Sequence, residues 1–269
     1  LDGADHLPTN TLIWWLNTYY PGTGPVVPAD GNEYTVRQPL ALAFGTAAAI
    51  STGRYRPGTG QGKVDLSEAA ATTRVQRILD GVSSAHITQS GGVWGGHWQS
   101  AQWTTMLATT ARLSPPSQTV RDRIATVTTF EADRLLTEPV LFWKQWNGTE
   151  NFPGDTKAEE NAWNGAFLIV AAAMYPEATN AAEWYQKGLE FSASAVTMPR
   201  DQATGVVHGN AIGDFPGYNI NDDGSLENHG YLNPHYTASI TELLWGVVSI
   251  LGHLWYLIPD AVVHNDQRI

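Results

Sequence analysis

The chain has 269 residues, enough for one large domain or two small ones and for a sizeable core. Hydrophobic residues make up 42%, which excludes a disordered chain; the formal net charge of −11, without any Lys/Arg cluster, argues against nucleic acid and anionic membrane as partners. Cysteine is absent, so disulfides and thiolate metal sites are excluded.

Taken in order, the chain predicts eight helices. Thr9 to Tyr20 places Leu12, Ile13, Trp15, Leu16 and Tyr19 on an apolar side, and a Pro/Gly loop follows from Pro21 to Asn32. Val36 to Thr52 is an Ala-rich helix closed by Gly53. The Gly-rich stretch Arg54 to Lys63 lacks the Gly-Lys-Ser/Thr ending and the preceding strand of a phosphate-binding loop. Asp65 or Ser67 caps a third helix to about Leu79, and His97 to Leu113 forms a fourth after the Gly91 to Gly96 loop. Ser117 to Leu136 is the fifth, Thr156 to Met174 the sixth, and Asn180 to Val196 the seventh.

A long connection from Met198 to Asn233 leads to the eighth helix, Tyr236 to Ile258. Its Leu244, Val247, Val248, Leu251, Leu254, Trp255 and Ile258 recur at helical spacing. The apolar run Leu243 to Ile258 has 16 residues, short of the ~20 that cross a bilayer, so it reads as a buried helix and not an anchor. No stretch alternates like a strand, so the expectation is an all-α single domain over residues 1–269, a toroid of antiparallel helical hairpins. The tail from Pro259 reads as the start of something more, such as a β-rich domain. The first residue is Leu1 and not Met, as expected of a secreted protein after removal of its signal peptide, or of an excised domain.

The stretch Asn219 to Tyr236, NINDDGSLENHGYLNPHY, stands apart. It gathers Asn, Asp, Glu, two His and two Tyr in a Gly-rich loop that ends at Asn233-Pro234, an N-cap and first-helical-position pair. So many polar groups are costly to bury, and loops on a rigid scaffold are where chemistry concentrates. Two readings compete. Asn219, Asn221, Asp223, Gly224 and Glu227 match positions 1, 3, 5, 6 and 9 of a calcium loop, although Gly230 stands where a bidentate Glu belongs. Alternatively His229, His235, Tyr231 and Tyr236 supply a proton-transfer pair.

Two more constellations are candidates. In Thr156 to Asn164, Thr156 and Glu159 have capping-box spacing, while Glu160, Asn161 and Asn164 share a helical face. Asn161 or Asn164 could donate an amide to a substrate carboxylate, or make a polar contact between helices. In Val93 to Trp103, Trp94, Trp98 and Gln99 form a candidate sugar-stacking wall, with His97 read as exposed. Eleven Trp and ten Tyr in one chain suit carbohydrate, whose rings have an apolar face and a polar rim.

The segment DGSLENHGYLNPHYTAS resembles the DGS-x-x-x-H…Y-T-G-x-Y stretch of the helical-toroid polysaccharide lyases, the chondroitin AC, hyaluronate and xanthan lyase group, and NAWNGAFLIVAAAM resembles their Asn-Trp-rich helix. The resemblance implies a catalytic Asn at Asn161 or Asn164, a His at His229, and a Tyr at Tyr236 or Tyr231. The family's catalytic Tyr position falls on Ile240, and Arg268 alone answers to its downstream Arg residues. The pair Asn228-His229 is similar to the alginate and heparin lyase relatives. Trp94, Trp98, Gln99, Trp163, Asn228, Tyr231 and His235 are then the expected substrate contacts, on a polysaccharide or oligosaccharide. No redox cofactor is implied. The rival expectation is a glycoside hydrolase, with a carboxylate pair drawn from Asp155, Glu160, Asp222, Asp223 and Glu227. The −11 charge favours a neutral substrate.

Overall fold

A computed structural model describes residues 7–58, 65–143, 155–207 and 210–265. Parts of the Arg54 to Lys63 and Trp143 to Pro153 loops, and Arg268, lie outside the described residues. The protein is mostly helical, with 61% helix and 3% strand, as the all-α reading requires. Where the sequence predicts one domain, the chain groups into two compact units, Leu1–Glu131 and Ala132–Ile269, and the division falls within a helix.

The first unit holds α1 (Leu7–Tyr19), α2 (Glu33–Ser51), α3 (Glu68–Ser84), α4 (Ser100–Leu113) and most of α5 (Gln118–Leu136). Helix α2 packs against α1, α3 and α4. Its Asn32 cap accepts from Tyr34 N and Thr35 N at 2.8 and 3.1 Å, so the helix begins at Glu33, three residues before the predicted start. Its end is a Schellman turn. Gly53, at φ 65°, donates to Ile50 O, and Arg54 donates to Ala49 O, so orphan carbonyls are satisfied where the left-handed residue costs nothing. Of the two predicted caps for α3, Ser67 makes the bond, accepting from Ala70 N at 3.2 Å. The core is built from Ile13, Leu16, Leu40, Ile78, Leu79 and Leu107, all fully buried.

The second unit holds α6 (Ala158–Met174), α7 (Ala181–Ala195), α8 (Asp201–Thr204), α9 (Pro234–His253) and α10 (Asp260–Val263). Helices α6 and α7 form a close antiparallel hairpin. A Cβ on Gly165 would lie 2.4 Å from Ser192 Oγ and 2.9 Å from Gly188 O, so the two backbones approach through glycine. Helix α9 covers α6 with Ile240, Leu244, Val247 and Leu251, a buried stripe with helical period.

The predicted extension of this helix to Ile258 is corrected. Helix α9 ends in a Schellman turn with Trp255 at the left-handed position, φ 62°: Trp255 N donates to Gly252 O and Tyr256 N to Leu251 O. The turn swings Trp255 out to 94% exposure, off the core stripe its spacing suggested. The long connection from Met198 also contains what alternation could not reveal, two hairpins with strands of two residues each. They pair Val206–Val207 with Asn210–Ala211 (β1 and β2) and Glu227–Asn228 with Tyr231–Leu232 (β3 and β4).

Candidate functional site

The β3–β4 hairpin turns at His229-Gly230. Both residues have positive φ, 57° and 82°, the requirement of a type I′ turn, which matches the twist of its strands. A histidine held left-handed costs about 1–2 kcal/mol against an ordinary conformation. Strain of this kind persists only where its surroundings enforce it. The turn projects His229 into solvent, and seven residues on, the first turn of α9 brings Tyr236 back beneath it. His229 Nε2 and Tyr236 Oη are 3.2 Å apart, and the rings meet edge to face with centroids 5.7 Å apart. Tyr236 is half-buried against the α6–α9 core, which fixes the phenol while its hydroxyl meets the imidazole. His235 lies beside it, 6.0 Å between ring centroids, and Tyr231 is exposed on β4. The structure thus joins His229 and Tyr236 as the sequence predicts. Pro234 takes the first helical position, but Asn233 makes no side-chain capping bond.

The hairpin is docked on the entrance to α6. Thr156 N donates to Glu227 O at 2.9 Å, and His229 N donates to Asp155 Oδ1 at 3.3 Å. The predicted capping box is corrected here. Thr156 Oγ1 accepts from Ala158 N and donates to Asn219 O at 2.7 Å, so it ties two segments together instead of closing over Glu159. Asn219 is the hub of this junction and is fully buried. Its Oδ1 accepts from Lys157 N at 3.0 Å, and its Nδ2 donates to Leu141 O and Ser194 O.

That arrangement occupies the oxygen a calcium loop would take from Asn219 at its first position. Asn221 and Asp223 close on Ser225 in a local turn: Asn221 Nδ2 donates to Ser225 Oγ, and Ser225 Oγ donates to Asp223 Oδ1 at 2.6 Å. The Ser225 hydroxyl and N–H hold the Asp223 carboxyl below its usual range. Glu227 sits on β3. Among the described residues no group of three or more His, Asp or Glu side chains is placed to hold a metal.

The asparagines divide. Asn161 faces inward at 2% exposure and one N–H of its Nδ2 donates to Leu141 O at 2.7 Å, so burial and a structural contact take it away from an open site. Asn164, one turn on, is half-buried, and Asn228, next to His229, is buried; the Oδ1 of each has no partner among the described residues. Trp163 is buried in the core and offers no surface to a sugar. Lys157 Nζ lies 3.4 Å from Glu160 and 3.9 Å from Asp155, so these two carboxylates share a cation. Asp222 is paired with Arg200 at 2.7 Å.

In the first unit the predicted aromatic wall is split. Trp94 is buried, with its indole N–H donating to Val82 O at 2.8 Å, because the loop after α3 folds back and pairs it with His86. Gln99 is also buried. Trp98 alone of the three is open, at 53% exposure. Helix α4 starts at Ser100 and not at His97, whose ring stacks on Trp103 at 5.3 Å. Beneath this loop lies a pair that the sequence does not signal. His86 Nε2 is 3.1 Å from Glu131 Oε1, both fully buried, and Glu131 also accepts from Gly96 N. Thr88 N donates to His86 Nδ1, which places the ring proton on Nε2, toward the carboxylate.

No helix among the described residues is long and apolar enough to cross a membrane. No family model, no curated protein and no solved structure matches this chain.

Proposed function

We propose that the protein is a secreted polysaccharide lyase that cleaves a uronic-acid-containing glycan by β-elimination, on helical hairpins arranged as an (α/α) toroid. The observation that carries the reading is the His229 Nε2–Tyr236 Oη contact of 3.2 Å on an exposed turn whose histidine is held left-handed. Elimination breaks the C5–H and C4–O bonds of a uronate and leaves a C4=C5 double bond. One group must accept a proton and another return one to the leaving oxygen, and a His–Tyr pair within hydrogen-bond reach supplies both. The uronate carboxylate must also be neutralised for C5–H to ionise. The candidate donors are the Nδ2 groups of Asn228, which adjoins His229, and of Asn164. Asn161 is left out, because it is buried with one N–H on Leu141 O. A hydrolase would need a carboxylate pair flanking an open gap, whereas Asp155 and Glu160 share Lys157.

The test is digestion of a panel of uronate polymers, followed through the ultraviolet absorbance of the unsaturated product end, which elimination makes and hydrolysis does not. His229→Ala and Tyr236→Phe should each lower turnover by roughly 10²–10⁴-fold. New reducing ends without the chromophore, or full turnover in both folded variants, would overturn the reading.

A further inference from the structure

We propose that Asp155 is a positioning residue that holds the His229 imidazole in place through the backbone. In a two-residue type I′ turn the N–H of the first central residue points away from the ladder and has no partner in the hairpin. Here that N–H belongs to His229 and donates to Asp155 Oδ1 at 3.3 Å. The residue it fixes is the one whose φ of 57° resists the conformation, so the bond acts where the turn most needs support. Its other oxygen faces Lys157 at 3.9 Å, which leaves Oδ1 to the turn.

The anchor behind Asp155 is stiff. The next residue, Thr156, donates its N–H to Glu227 O on β3 and its hydroxyl to Asn219 O, and Lys157 N donates to Asn219 Oδ1. Asp155 therefore sits at the end of a segment fixed at three points, and it transmits that fixation to the tip of the hairpin. Without it the turn remains tethered only at its base, and the imidazole is free to swing away from Tyr236. The inference rests on the lyase reading for its consequence in turnover, but not for the geometry.

The role belongs to an acceptor oxygen and not to a negative charge, and this makes it separable. Asp155→Asn keeps Oδ1, whereas Asp155→Ala removes it. Two readouts are taken on full-length protein: kcat and KM on a uronate polymer, and hydrogen exchange of the His229 amide. Asp155→Ala should lower kcat by about 10²-fold with KM little changed, as expected when a reacting group is displaced by about 1 Å. The same change should abolish protection of the His229 amide. Asp155→Asn should restore both to within a few-fold of the parent. Equal loss in Asp155→Asn and Asp155→Ala would overturn the proposal, because charge would then be what matters. So would full kcat and intact protection in Asp155→Ala. If the parent protein yields no unsaturated product from any polymer, the lyase reading falls. The exchange readout alone then decides the positioning role, by whether protection is lost in Asp155→Ala and kept in Asp155→Asn.

Discussion

Glycine to alanine at Gly165 should destabilise the protein, although the same change in most helices does the reverse. Gly165 lies inside α6, where an alanine is intrinsically favoured by about 1 kcal/mol. Against that, the added Cβ would lie 2.4 Å from Ser192 Oγ, 2.7 Å from Ser192 N and 2.9 Å from Gly188 O. The hydroxyl can rotate away, but the amide and carbonyl are backbone of α7 and move only if the helix moves. Overpacking costs typically 1–3 kcal/mol, and clashes with backbone put this site at about 2–3, so after the ~1 kcal/mol helix gain the net effect expected is a loss of about 1–2 kcal/mol. Gly246 provides the control. It lies inside α9 with nothing within 4 Å of its would-be Cβ, so Gly246→Ala should gain about 0.5–1 kcal/mol. The assay is urea unfolding by circular dichroism at 222 nm, a wavelength where helix dominates. With m near 2–3 kcal/mol/M, the midpoint should fall by about half a molar for Gly165→Ala and rise by a smaller amount for Gly246→Ala. A Gly165→Ala protein as stable as the parent, or more so, would refute the claim that α6 and α7 meet through their backbones.

Burial pushes the Tyr55 phenol up to about 12, and its hydroxyl donates to Leu66 O at 2.9 Å. The folded state therefore keeps this proton above pH 10, where the unfolded chain loses it, and stability should fall as pH rises from about 10 to 12. The loss attributable to this group is on the order of 2 kcal/mol, and Tyr55→Phe should flatten the alkaline limb of the stability profile; an unchanged limb would count against it. Asn219→Ala should cost about 2–4 kcal/mol, since it strips partners from the buried Ser194 carbonyl and from Lys157 N. It should lower the thermal midpoint whether or not calcium is added, whereas a calcium-dependent midpoint in the parent that vanishes in the variant would restore the ion-binding reading of this loop.

Periodicity and caps made most of the helices legible from sequence. The stripe Leu244, Val247 and Leu251 can only be an interior helix face, Ser67 can accept from the N–H three residues on, and Gly53 can take the left-handed end of α2 without cost. These are local rules, settled within one or two turns of chain. The proximity of His229 and Tyr236 was legible for the same reason, since seven residues separate them. Tertiary structure decided the rest. Asn219 reads locally as the first ligand of a calcium loop, yet partners 25 to 78 residues away claim its carboxamide. Asn161 and Asn164 sit one turn apart on one helix, and burial with a bond to the Leu141 carbonyl, 20 residues before the first of them, takes Asn161 out of contention. Trp94 and Trp98 are four residues apart in a glycine loop, where no periodicity assigns faces. The return of that loop over His86 buries one indole and leaves the other in solvent. A side chain's chemistry is written in the sequence, but whether its polar atoms are already spent depends on what the fold brings against them from far along the chain.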